Sequence, residues 1–192
     1  VLERARRVYW EKGYEGASLP ELLRATGLSR SSLYQAFGDK RSLFLAALDS
    51  YLEAGRSELR TTLDEAATPL VGLQRWLEKM VVMARRGRPR RGCLGVNSLV
   101  ELAPRDSEVR NRLARHEDEV TELYARALRA GVEHGEIRAD LDPREGALLL
   151  RTIVHGVQVA GRAKIDDPGI DVAKWALEGL RARRTEKGKS DE

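Results

Sequence analysis

The stretch from Ser18 to Lys40, SLPELLRATGLSRSSLYQAFGDK, constrains this chain more than any other. Ser18 and Glu21 stand at the spacing of a capping box, with Pro20 tolerated in the first turn. Gly27 can take the left-handed conformation that a sharp turn between two helices needs. Ser29 then caps a further helix, and Leu28 and Leu33 occupy the two positions of a hydrophobic staple. Leu22, Leu23, Leu28, Leu33 and Phe37 remain to pack the small helices together. The pattern predicts a helix-turn-helix, whose second helix enters the major groove of DNA.

Around that block the periodicity is helical throughout. Leu2, Ala5, Val8 and Tyr9 form an apolar stripe on a first helix expected to stop near Gly13. Asp39 caps a long helix running past Leu63, and Thr68-Pro69 opens another through Trp76, Met80 and Met83. The basic segment Arg85 to Gly92 (RRGRPRRG) reads as a loop, and a short helix follows from about Cys93 to Leu102. An amphipathic helix is expected from Ser107 to about Gly131. Asp142-Pro143 and Asp167-Pro168 start the last two, each with Asp as cap and Pro at the first helical position. The stretch GALLLRTIVHGVQVAG is apolar on nearly every side, which implies burial on two sides. The fold expected is all-α with about nine helices. Residues 1–45 form a three-helix DNA-binding domain, 46–184 a larger ligand-binding and dimerisation bundle, and 185–192 a charged tail.

Composition permits this and excludes little else. The chain has 192 residues, 42% of them hydrophobic and 33% charged, with a net charge of +4. Contact with a polyanion is allowed, though basicity alone argues weakly. One cysteine, Cys93, cannot form an intrachain disulfide, which fits a reducing compartment. No apolar run approaches the ~20 residues that span a membrane, and no signal-peptide pattern opens the chain. The expected location is cytoplasmic, with no membrane contact. Val1 already lies inside a helical pattern, so a short N-terminal arm is expected before it.

The block from Lys12-Gly13-Tyr14 through Ala25-Thr26-Gly27-Leu28-Ser29, then Ser32-Leu33-Tyr34, Phe37 and Lys40, resembles the TetR/AcrR family of bacterial transcriptional regulators. The match covers roughly the first fifty residues. Beyond it the likeness rests on helix order and on segments such as GEIRADLDP. The resemblance implies a homodimeric regulator, most often a repressor, whose two heads read a near-palindromic operator of double-stranded DNA. It also implies that a small-molecule effector shifts the spacing of the heads and releases the operator.

Residue chemistry carries the DNA reading further. Arg30 can fork to guanine, Gln35 can read adenine, and Ser31 and Ser32 can bond bases or phosphates. Tyr34 can reach a phosphate or a thymine methyl, while Lys40 and Ser18 stand at helix starts as phosphate anchors. The resemblance places DNA contacts at the positions of Arg30, Ser31, Ser32, Tyr34, Gln35 and Lys40. Ala36 departs from the family pattern, where many members carry histidine.

In the larger bundle, Trp76, Met80, Met83, Val100, His116, Val120 and Tyr124 are expected to line an apolar effector pocket; simple core packing is the other reading for each. Val154, Val157, Gly161 and Trp175 are expected at a four-helix dimer interface. Cys93 follows Arg90, Arg91 and Gly92 at a helix start, where neighbouring charge and the helix dipole lower a thiol pKa. That supports a thiol sensor; a small buried core residue is the alternative. The Arg85–Arg91 loop reads either as a solvated basic loop or as a minor-groove arm. His116, His134 and His155 match no metal spacing, and no catalytic motif or cofactor cradle is apparent. The rival readings are an α-helical ligand-binding or enzymatic bundle without specific DNA binding, and a nonspecific DNA-compacting protein.

Overall fold

The computed structural model describes residues 1–86, 91–165 and 169–182. Among them lie nine helices and no strand: α1 (Leu2–Gly16), α2 (Leu19–Thr26), α3 (Arg30–Phe37), α4 (Lys40–Asp64), α5 (Pro69–Arg86), α6 (Leu94–Glu101), α7 (Ser107–Glu133), α8 (Pro143–Ala163) and α9 (Gly169–Leu180). Most of the Arg85–Arg91 loop, the Asp167-Pro168 cap and the tail 185–192 fall outside the described residues.

The caps that start these helices are local chemistry. Ser18 Oγ accepts the Glu21 N–H at 3.4 Å, and the Glu21 carboxylate accepts the Ser18 N–H at 3.1 Å. Ser29 accepts the Ser32 N–H at 3.0 Å and Asp39 the Ser42 N–H at 2.6 Å. Asp106 and Asp142 do the same for α7 and α8. Each such cap satisfies donors that a helix start leaves without an intrahelical partner. Gly27, at φ 75°, closes α2 in the left-handed region.

α1 breaks at Gly13 (φ 76°, ψ 178°), where its stop was expected, and then resumes across the kink to Gly16. The reason lies in α6, where the Glu101 carboxylate accepts the N–H groups of Tyr14 (3.3 Å) and Glu15 (3.0 Å) and so caps the resumed segment. α7 runs on to Glu133, because Gly131 serves packing rather than termination: a Cβ there would meet Ile137 at 2.6 Å.

Packing divides into two apolar clusters. The first gathers Ala5, Tyr9, Leu22, Leu33, Leu43 and Phe44 of the first helices with Leu94 and Leu113 from α6 and α7. The second joins α5, α7, α8 and α9 around Leu73, Leu77, Leu128 and Leu150. α4 runs through both, giving Leu48 to one and Leu59 to the other. The core of the first three helices is therefore completed by the bundle. The turn after α7 ties the far end. Ile137 bridges Arg181 antiparallel, and Glu136 accepts the Leu70 N–H of α5 at 3.1 Å. No described helix is long and apolar enough to cross a membrane.

Candidate nucleic-acid interface and effector cavity

On α3, Leu33 is fully buried and Phe37 half-buried, four residues apart on the inward side. Arg30, Ser31, Tyr34 and Gln35 are all exposed; Tyr34 is 47% exposed despite its ring. Ser32 and Ala36 are exposed on the flank. Ser29 Oγ lies 2.9 Å from Ser31 Oγ and 2.8 Å from Ser32 Oγ, a hydroxyl cluster at the positive end of the helix. Lys40, at the start of α4, is half-buried with Nζ 4.5 Å from the Tyr14 ring centroid. Ser18 is exposed but donates its hydroxyl to Glu21 at 2.8 Å, and Glu21 also pairs with Lys12. These contacts hold the glutamate acid down at about 2, the Lys12 and Ser18 hydrogen bonds first among the causes.

Several polar contacts fasten this region to the bundle. Besides the Glu101 cap, Arg41 bonds Asp106 (2.8 Å) and Glu108 (2.7 Å) on α7. Trp10 Nε1 donates to the Gly92 carbonyl at 2.9 Å, and Arg162 on α8 donates to the Trp10 carbonyl at 3.2 Å. Arg91 pairs with Glu11 and lies 5.9 Å from the Trp10 ring centroid.

Between α4, α5, α6, α7 and α8 lies a cavity of about 790 Å³. Trp76, Met80, Met83, His116, Val120 and Tyr124 line it. Val100 does not. It is 71% exposed, on the outer side of α6, because Val96 and Leu94 take that helix's inward positions. Trp76 Nε1 donates to Tyr124 Oη at 2.7 Å, so two buried aromatic side chains satisfy each other's polar tips. Burial pushes the Tyr124 hydroxyl's pKa up despite that bond.

A polar group on α7 and α8 faces the same space. Glu117 Oε2 lies 3.2 Å from His155 Nε2 and 3.3 Å from Arg151 Nε, within ion-pair reach though neither N–H is aimed well at it. Burial alone would push the Glu117 carboxyl up; His155, His116 and Arg151 outweigh it and bring the acid below the ordinary carboxylate range. His116, 3.0 Å from Arg56, is pushed down by burial first. Sequence reasoning named His116 for the pocket but not Glu117, Arg151 or His155. A signal for the last two was present in the nearly all-apolar α8 stretch, where Arg151, His155 and Gln158 recur at helical spacing and make one polar stripe.

Cys93 also opens onto this cavity, as the N-cap residue of α6. The expected lowering of its thiol pKa is reversed, since burial pushes it up. Tyr51 Oη donates to Sγ at 3.5 Å, and Arg91, expected to assist, is committed to Glu11.

The four residues expected at a dimer interface separate. Trp175 on α9 is 78% exposed. Val154 instead lines the cavity, Val157 is buried, and Gly161 packs so tightly on α5 that a Cβ would meet the Ala84 carbonyl at 2.7 Å. Within the chain α8 is buried on one side. Its other side leaves Leu148, Leu149 and Val159 exposed, and α9, which packs on α8, leaves Val172 and Trp175 exposed. Among the described residues no group of three or more His, Cys, Asp or Glu side chains could hold a metal ion.

Residues 1–47 match the family model described as bacterial regulatory proteins of the tetR family, and residues 69–177 match the tetracyclin repressor-like C-terminal domain. The chain is 31% identical over 140 residues to the uncharacterized HTH-type transcriptional regulator YezE of Bacillus subtilis, covering 73% of this chain and 72% of that one. It is 26% identical over 164 residues to the HTH-type transcriptional repressor ComR of Escherichia coli, covering 84% and 78%. Among solved structures it resembles the TetR family transcriptional regulator CifR, a cysteine mutant complexed with 26-base-pair operator DNA. The TM-score there is 0.81 and the identity 33%, over 92% of this chain and 93% of that one.

Proposed function

The chain belongs to the TetR family of DNA-binding transcriptional regulators, not to a class of enzymes, and we propose that it is a dimeric repressor released from its operator by a small molecule. The observation that carries this is the capped helix α3, which leaves Arg30, Ser31, Tyr34 and Gln35 exposed while Leu33 pins it to the core. Residues 1–45 act as the head, with Arg30 and Gln35 reading base edges. Ser18, Ser31, Ser32, Tyr34 and Lys40 fix the head on the backbone. Residues 46–184 sense the effector and dimerise. The operator-bound state of CifR supports the DNA reading, and the name of ComR supports repression. Because chromosomal DNA is the partner, the site of action is the cytoplasm.

The exposed apolar strip of α8 and α9 favours a homodimer, since monomers rarely leave so many large apolar side chains together in water. Two heads related by a two-fold axis read half-sites about one helical turn apart. The cavity is the effector site. A ligand that prefers one arrangement of α4 to α8 shifts the population away from the operator-binding state. α6 carries the change to the head, because Glu101 caps α1 directly. Cys93 enters this account as a cavity-wall thiol for a thiol-reactive effector, without the activated thiolate that its neighbours in sequence promised.

The test is fluorescence anisotropy at one stated salt concentration, with labelled genomic fragments flanking the chain's own gene against shuffled duplexes. The proposal expects a specificity ratio of about 10³ or more. Equal affinity for both would leave a nonspecific binder or a bundle without a DNA role.

A further inference from the structure

Three cations line the cavity: Lys79, Arg151 and Arg6. Lys79 is paired with Glu58, and Arg151 with Glu117. Arg6 is different. Among the described residues it makes no hydrogen bond or ion pair, and its Nε is buried without a partner. Its guanidinium lies 6.0 Å from the Tyr51 ring centroid, and Tyr51 in turn meets Trp10 and Cys93, which also line the cavity. Two carboxylates and three cations line this space, and Arg6, which reaches it from α1 together with Trp10, is the cation left without an ion pair, though its charge is also felt by Glu3 outside the cavity. A guanidinium presents a planar fork of donors that matches carboxylates, sulfonates and phosphates, and such pairs strengthen away from bulk water. Other parts of the lining are apolar and aromatic, with Trp76, Met80 and Val120.

We propose that Arg6 is an anion-binding subsite, and that the effector is an amphipathic molecule carrying a carboxylate, sulfonate or phosphate beside an apolar body. This rests on the reading of the cavity as the effector site. The anionic group reaches α1 itself, four residues before Trp10, so the ligand pulls on the first helix of the head directly as well as through α6.

Two probes with one aromatic core test this in the full chain. 8-Anilinonaphthalene-1-sulfonate carries an anion and N-phenyl-1-naphthylamine does not; both brighten in apolar sites. Arg6→Gln should weaken the sulfonate about tenfold, the loss of one charge-assisted contact, while shifting the neutral probe less than about twofold. Arg6→Lys, which keeps the charge but not the fork, should fall between. Val120→Trp, which fills the cavity, should remove both probes. If Val120→Trp removes both while Arg6→Gln leaves the sulfonate unchanged, the anion subsite is wrong and the cavity reading stands. If Val120→Trp changes neither probe, they bind elsewhere, and the subsite falls together with the cavity reading.

Discussion

Glu101 on α6 and Gly13 on α1 fit each other: a Cβ added at Gly13 would begin 2.6 Å from the Glu101 carboxylate. The absent side chain lets the carboxylate reach the amides of Tyr14 and Glu15, so a residue of the bundle caps a helix of the head. Gly13→Ala would force alanine into a backbone region that is nearly glycine-only, at a cost of about 1–3 kcal/mol. The melting temperature should fall by about 2–10 °C, read by circular dichroism. Glu101→Gln, which keeps an accepting oxygen, should preserve the response of DNA binding to effector. Glu101→Ala should blunt that response. An Ala variant with full response would remove Glu101 from the coupling.

The exposed side of α3 separates recognition from stability. Arg30→Ala should cost about 1–3 kcal/mol of discrimination between operator and random duplex. Tyr34→Ala should weaken operator binding similarly, and neither should shift the melt by more than about 2 °C, since both side chains stand in solvent. Leu33→Ala, in the core of the same helix, should lose stability first.

How much was legible before the structure follows from where the physics is local. Ser18, Gly27, Ser29, Asp39 and Asp142 act within a few residues of themselves, and their caps and turns stand where spacing put them. The break at Gly13 was legible, but the resumption of the helix to Gly16 was not, because its cap, Glu101, lies far along the chain. The inward positions of Val157 and Gly161 were hidden for the same kind of reason. A helix apolar on nearly every side does not reveal which side meets α5 and which is left bare. Arg6 reads in sequence as one of several arginines on a charged helix, and its role comes from the cavity behind it.

The bare strip of α8 and α9 should hold the dimer together. Trp175→Asp and Leu149→Asp should convert dimer to monomer in sedimentation velocity at micromolar concentration, with helicity kept. Val157→Asp should unfold the chain rather than split it, since it buries a charge in the second apolar cluster. A wild-type chain that sediments as a monomer would contradict the assignment.

For Cys93 the direction of the thiol shift sets the pH dependence. A raised pKa favours the neutral thiol, so thiolate accumulates only as pH climbs past the ordinary thiol range. Alkylation by iodoacetamide should be slower at pH 7 than for a free thiol and should rise at higher pH. Tyr51→Phe, which removes a bond that favours the thiolate, should slow it further. A reaction midpoint below the ordinary thiol value would restore the activated-sensor argument.

The most direct test of the whole account is selection of the purified chain against a pool of random double-stranded DNA at fixed salt. The account predicts enrichment of one near-palindromic sequence, with half-sites about one helical turn apart, and loss of that enrichment in Arg30→Ala. A pool that stays unenriched with the wild-type chain, or the same motif recovered with Arg30→Ala, would contradict it.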